Sequence, residues 1–456
     1  MSPFANRYRY LLHISVALAL AVCWHVSSPR HALAAAVLVV GSQAKLASTG
    51  DEAVSKDGLK IGGQPVVQLM RRSSANGAGP EFTSVTILPG RGMNLFQITA
   101  NLPGKGEVHV LASPSLEEAA QQLNGGADDV HGVKSFTFGG AFLVPYPNRI
   151  RGKLSPDGKT VSTQWKDKTL TLPAVWKGKA NLNAELHAIH GLILDRKTDS
   201  LKLETTPDGE TLTGVIHAGD FGGYWPSKTD LTISISLTGT TVESTIIAKN
   251  VGDEEEPISI GWHPYFAIPS GDRTQARLHI PASKLAEVNN YDDVFPSGKL
   301  LPVTGTKYDF RSKAGEPLGD IFLDDNFADL GRTSGEVVVD LTDPASDYGI
   351  HIEGLSSEIR TVQVYAPPDK AFAAIEEQFN FADPFSGLWN GMNTGMVTLK
   401  PNRAVTWKVR LRLFTPAQRP SHVRATVLRV HSERQQMPIR ESSSRSLHAK
   451  PSHAAL

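Results

Sequence analysis

The chain has 456 residues, 40% of them hydrophobic and 20% charged, an ordinary globular composition with enough apolar material for a large core. Lys plus Arg equals Asp plus Glu at 46 each, so the charge balance gives no reason to expect nucleic acid or an anionic membrane as the main partner. The single cysteine, Cys23, excludes an intrachain disulfide and a cysteine-based metal site.

The N-terminus reads as a targeting segment. Arg7 and Arg9 precede an apolar run at 11–26, and "HALAAA" at 31–36 offers small residues for cleavage. The run is shorter than the ~20 apolar residues of a membrane span. Residues 1–36 are therefore expected to be a signal peptide, with an uncleaved N-terminal anchor as the alternative. The protein would then be exported, periplasmic or extracellular, with no stable membrane insertion after cleavage. Residues 37–80 follow as a polar linker or as edge strands.

From residue 81 to 415 the pattern is strand, turn, strand. In "LTISISL", Leu231, Ile233, Ile235 and Leu237 share one face and Thr232, Ser234 and Ser236 the other, the period of a half-buried strand. The turn "TGT" leads to a partner strand, "VESTIIA" at 242–248. "AVTWKVRLRLF" repeats the alternation, with Val405, Trp407, Val409, Leu411 and Leu413 on one face. The good helix candidate is short: "SPSLEEAAQQL" at 113–123, with Ser115 as N-cap. Strands, frequent turns and very little helix predict an all-β fold, a large antiparallel sandwich. Residues 416–456 read as a basic, disordered tail.

Five stretches combine reactive groups with Gly, Pro or aromatic punctuation. "PYPNRIRGK" carries Asn148 and Arg149, and an arginine in such a bend either solvates or forks onto hydroxyls or a carboxylate. "ELHAIHGLILDR" carries His187 and His190 without a third ligand at metal spacing. His263 lies in "GWHPYFAIP", where Tyr265, Phe266 and Ile268 read as packing and Pro264 as a stiffener. In "AIEEQFNFADPF", Glu376 and Glu377 sit among aromatic residues, where desolvation raises a carboxyl pKa; one of the two is expected to face solvent. "FLDDNFADL" carries Asp324 and Asp325, with no calcium-loop pattern around them. Two or three histidines, an arginine and separated acids suit an uncharged polyol.

The order of these motifs resembles the aldose 1-epimerase (galactose mutarotase) family: "NRIRG", "IHG", "HPYF", "DDNF", "IEEQ", then a final strand after "LKPNR", over residues 84–414. "TILPGRGMNLFQI" is similar to the family's opening strands. The resemblance implies a β-supersandwich with a sugar cleft on its concave sheet, interconverting the α and β anomers of a free hexose such as glucose or galactose. It implies Glu376 as base, His263 as general acid, and His190, Arg149, Asp324 and the adjoining Asn148 as sugar-binding residues. No metal or organic cofactor is implied. The partner is a small-molecule sugar, and the chain is expected to be a monomer or homodimer. The sequence departs from the family at "IHGL", which adds His187, and at "GWHP". Three other readings stay open: a non-catalytic carbohydrate-binding homologue, a hexose-phosphate mutarotase using Arg151 and Lys153, and a glycoside hydrolase pairing Glu376 with Asp324.

Overall fold

The computed structural model describes residues 55–71, 79–178 and 184–416. The expected signal segment, 1–36, and the basic tail beyond residue 416 lie outside them. Among the described residues no helix is long and apolar enough to cross a membrane.

The period-two stretches are strands, and every strand pairing is antiparallel. Thr229–Thr238 pairs with Thr241–Asn250 across the Gly239–Thr240 turn. Leu231, Ile233, Ile235 and Leu237 are fully buried, as are Val242, Ile246 and Ala248 of the partner. Alternate burial on a pleated strand sets this register, since a slip of one residue would turn the whole apolar set to water.

This hairpin belongs to a nine-stranded sheet. Its order runs Ser200–Thr205, Gly209–Gly219, Thr229–Thr238, Thr241–Asn250, Ala404–Phe414, Tyr348–Gly354, Val337–Asp343, Arg277–His279, Glu316–Pro317. A seven-stranded sheet runs Pro296–Pro302, Ala282–Val288, Leu323–Leu330, Thr361–Ala366, Phe372–Gln378, Gly261–Ala267, Gly140–Leu143. One continuous core lies between them, with Leu231, Trp407 and Leu411 from the first sheet and Phe266, Val364 and Ile375 from the second. Trp407 ties the layers together. Its ring meets Phe142 edge-on at 6.1 Å, and its indole N–H donates to the Glu377 carbonyl at 3.0 Å.

A five-stranded meander, from Ser55–Ile61 to Gly106–His109, packs beside the nine-stranded sheet. Its first two strands, Ser55–Ile61 and Gln64–Met70, fall in the stretch that the sequence left between linker and edge strands.

The predicted helix is Leu116–Gln122. Ser115 Oγ accepts from the Glu118 N–H at 3.2 Å, and Glu118 returns a carboxylate to the Ser115 N–H at 3.0 Å. This reciprocal cap satisfies two donors that the first turn leaves free. Ser115→Ala is expected to cost about 1 kcal/mol, read as a lower urea midpoint with an unchanged m-value; an unchanged midpoint would mean that the cap adds nothing.

Candidate active site

The face of the seven-stranded sheet turned away from the core carries the site, and strand register assembles it. Glu376 lies opposite Gln363, and Gln363 opposite Asn326. Tyr265 lies opposite Ala374. Two residues further along the same two strands, His263 Nε2 comes within 3.3 Å of Glu376 Oε1. Because side chains alternate, His263, Tyr265, Glu376, Gln378, Gln363, Tyr365, Asp324 and Asn326 all project from one face. Val362, Val364 and Ile375 project from the other, into the core.

Asn148, Arg149 and His190 arrive from two short strands, Arg149–Ile150 and Ala188–Ile189, that pair with each other. Asn148 and His190 both have positive φ, 62° and 58°, a conformation that costs non-glycine residues and persists where surrounding contacts hold it. The contacts are reciprocal: the His190 N–H donates to the Asn148 carbonyl at 3.0 Å, and the Asn148 N–H donates to His190 Nδ1 at 3.2 Å. Nδ1 is thus an acceptor, so the neutral ring carries its proton on Nε2. Gly191 continues the turn at φ 82°, and a Cβ there would lie 2.4 Å from the Val144 carbonyl oxygen. The glycine after His190 is therefore required by close backbone approach as well as by its φ.

A chain of amides and charges links these pieces. Arg149 Nη2 donates to Asp324 Oδ2 at 3.0 Å, and Gln363 Nε2 donates to Asp324 Oδ1 at 2.7 Å. Gln363 Oε1 accepts from Asn148 at 3.0 Å and from Asn326 at 3.1 Å. Gln378 Nε2 donates to Glu376 Oε2 at 2.6 Å. Phe136 closes one side, 4.5 Å from the His190 ring and 5.5 Å from that of His263. The segment bearing Phe136 is held by Asn94, which donates to the Ser135 and Phe138 carbonyls, and by Arg91, which bonds Ser135 and pairs with Asp129.

Burial governs the protonation of the pair. Glu376 is 1% exposed and His263 4%. Desolvation holds the Glu376 carboxyl well above its ordinary value; Asp324 adds to this, while Arg149 and the Gln378 amide oppose it. Desolvation also pushes the His263 imidazole down to about 3, with the Arg149 charge acting in the same direction. His190 is pushed well below its ordinary value by burial, then by His263 and Arg149. One proton shared by Glu376 and His263 is then the stable inventory, because the doubly protonated pair carries a buried net positive charge and the fully stripped pair a buried net negative one.

The structure brings together Glu376, His263, His190, Arg149, Asp324 and Asn148, the six residues that the sequence singled out. Two expectations fail. Neither adjacent glutamate faces solvent: Glu377 is 2% exposed and points into the core against Gly354. Strand alternation places one carboxylate in the site and the other between the sheets. Tyr265 is not mere packing, since it shares the site face, and its ring lies 4.8 Å from that of His263. His187 turns away to bond the Glu185 carbonyl at 2.8 Å and meets Phe295 edge-on. Asp325 turns to the Tyr291 hydroxyl at 2.9 Å. Among the described residues no cluster of three or more His, Cys, Asp or Glu is placed to hold a metal ion. Sequence reasoning missed Gln363, Gln378, Tyr365 and Phe136. The first three were legible in principle: Gln363 and Tyr365 alternate with the valines of "TVQVYA", and Gln378 follows Glu376 by two. Phe136 gave no signal, because it lies in a short 3-10 segment, Val130–Thr137, with no periodic pattern to read.

The aldose 1-epimerase family model matches residues 106–412. The chain belongs to the aldose 1-epimerase family. Among solved structures, a galactose mutarotase-like protein from Clostridium acetobutylicum is 22% identical with a TM-score of 0.58, over 73% of this chain and 92% of that one. Galactose 1-epimerase from Lactobacillus acidophilus is 16% identical with a TM-score of 0.53, over 77% and 99%. An aldose epimerase homologue from C. elegans is 17% identical with a TM-score of 0.53, over 76% and 98%. At these identities the likeness is one of fold, a galactose mutarotase-like β-supersandwich. No curated protein matches the sequence. In this epimerase-family chain the motifs lie within or just before the matched span, which begins after the first four strands of the meander.

Proposed function

We propose that the protein is an aldose 1-epimerase acting on a free aldohexose, by acid–base opening and closing of the ring. The 3.3 Å contact between Glu376 and His263 carries the proposal. Ring opening needs one proton removed from the anomeric hydroxyl and one delivered to the ring oxygen. A pair that holds a single proton supplies one base and one acid. Glu376 takes the O1 proton and His263 protonates O5; the C1–O5 bond breaks as the C1 carbonyl forms. Rotation about C1–C2 exposes the other carbonyl face. O5 then attacks it, returning its proton to His263 while Glu376 protonates O1. Burial by itself favours the uncharged arrangement, with the proton on Glu376, whereas Arg149 and Gln378 favour the carboxylate that this direction of transfer needs.

The other groups suit a polyol. His190 Nε2–H is a donor, Asp324 a charged acceptor oriented by Arg149, and Asn148 and Gln363 supply amides. Both Asp324 oxygens are engaged, by Arg149 and by Gln363, which speaks against a free second carboxylate for glycoside hydrolysis. Arg151 is tied to Asp383 at 3.4 Å and lies 4.3 Å over the Phe295 ring. With that cation compensated, the site favours an unphosphorylated sugar.

The pH profile of mutarotation tests the pair. Below the acid limb a second proton removes the base; above the alkaline limb the last proton is lost and no acid remains. Because burial lowers His263 to about 3 and raises Glu376, activity is expected to persist from well below pH 6.5 to well above pH 4.5 as one plateau. An acid limb at the ordinary imidazole value of ~6.5 would count against the one-proton pair.

A further inference from the structure

We propose that a second pocket, on the same sheet as the catalytic pair, binds an anionic saccharide: a sugar bearing a carboxylate or phosphate group. The cavity measures about 440 Å³, a volume within the range of small-ligand sites. Lys284 and Ile359 line it together with Asp329, Arg332, Arg360 and Phe381. Lys284 lies opposite Ala328, on the strand three places from that of Glu376. At a strand spacing of ~4.8 Å this puts Lys284 about 14 Å across the sheet from the Glu376 strand, while the Arg360 N–H donates to the Gln378 carbonyl, so the opposite wall lies at the end of that strand; neither Glu376 nor His263 lines this pocket.

The charge of this cavity is unbalanced. Lys284 approaches Asp329 at 3.7 Å. Arg332 donates only to main-chain carbonyls, those of Gly335, Ser356, Ser357 and Ile359. These carbonyls fix the guanidinium without cancelling its charge. Arg360 has no ion-pair partner among the described residues, and its neighbour Glu358 accepts from Ser357 Oγ instead. Three cations therefore face one acid. With the four Nη–H donors of Arg332 committed to carbonyls, Arg332 adds charge, and the Arg360 guanidinium supplies the fork that matches the planar or trigonal oxygens of a carboxylate or phosphate. Leu300, Leu330 and Met392 add apolar surface beside the polar Ser357 and Asn393. Ile359 is 1% exposed and Phe381 5%, and the Phe381 ring packs with Trp389 at 5.1 Å. An apolar wall beside a cationic one fits a sugar ring carrying an oxyanion better than it fits a bare inorganic ion.

Calorimetric titration of the full chain, with free galactose present to occupy the catalytic cleft, tests this with methyl β-glucuronide, glucose 6-phosphate and neutral methyl β-glucoside. At least one anionic sugar is expected to bind saturably while the neutral glycoside does not; the uronide and phosphate arms identify the oxyanion. Arg360→Glu is expected to weaken that binding tenfold or more, and Lys284→Glu to weaken it in the same direction. Both side chains are exposed and outside the catalytic machinery, so galactose mutarotation should stay within twofold of wild type, with circular dichroism reporting the fold independently. The proposal is overturned if neither anionic sugar binds above the neutral one, or if both charge-reversal variants bind as wild type.

Discussion

Replacing Glu376 with glutamine is expected to lower kcat for mutarotation by about 10²–10⁴-fold. The amide is nearly isosteric, so the contacts to His263 and Gln378 keep their geometry while the proton acceptor is lost. Glutamine also removes a carboxyl whose burial is costly, so the variant should fold at least as well as the wild type. KM should change far less than kcat, because the proton transfer removed acts in the transition state, whereas Arg149, Asp324 and His190, the proposed sugar-holding groups, are left in place. Polarimetry of freshly dissolved α-glucose and α-galactose measures this directly. Wild-type rates in the variant would sink the acid–base proposal. A wild-type protein that binds these sugars without hastening their mutarotation would instead favour the carbohydrate-binding reading.

Trp407→Ala is expected to destabilise the protein by about 3–5 kcal/mol. The indole is fully buried between the two large sheets, and its N–H satisfies the carbonyl of Glu377, next to Glu376. Truncation leaves a large cavity and an unpaired buried carbonyl directly behind the strand that carries Glu376. Trp407→Phe separates the two effects, since it keeps most of the volume and loses the hydrogen bond, at a cost of about 1–3 kcal/mol. Urea unfolding gives both values. A loss in Trp407→Ala no larger than that of a surface change, within about 0.5 kcal/mol, would remove Trp407 as the link between the layers.

The strands of the sandwich were legible because burial on a pleated sheet imposes a period of two. Leu231 to Leu237 and Val405 to Leu411 show it residue by residue, and the helix announced itself through Ser115. The same rule could have separated Glu376 from Glu377 and Asp324 from Asp325, had the face that carries the site been known. Within each pair both residues are acidic, and nothing local says which parity faces the site. Tyr265 was misread for a related reason: an aromatic side chain on a buried strand looks the same whether it faces the core or a cleft.

By itself the sequence determined the all-β class, the half-buried strands, the helix cap and the set of motifs that carry Asn148, Arg149, His190, His263, Asp324 and Glu376. These are consequences of local chemistry and periodicity, written along a single stretch of chain. Only the tertiary structure decided which of them meet. Strand order brings Gly261–Ala267 beside Phe372–Gln378, and register sets His263 against Glu376 across more than a hundred residues of sequence. Burial of that pair then sets its protons, and the Gln363 amide joins Asn148 to Asp324. Such relations depend on pairing and desolvation between distant segments, which no local pattern of residues encodes.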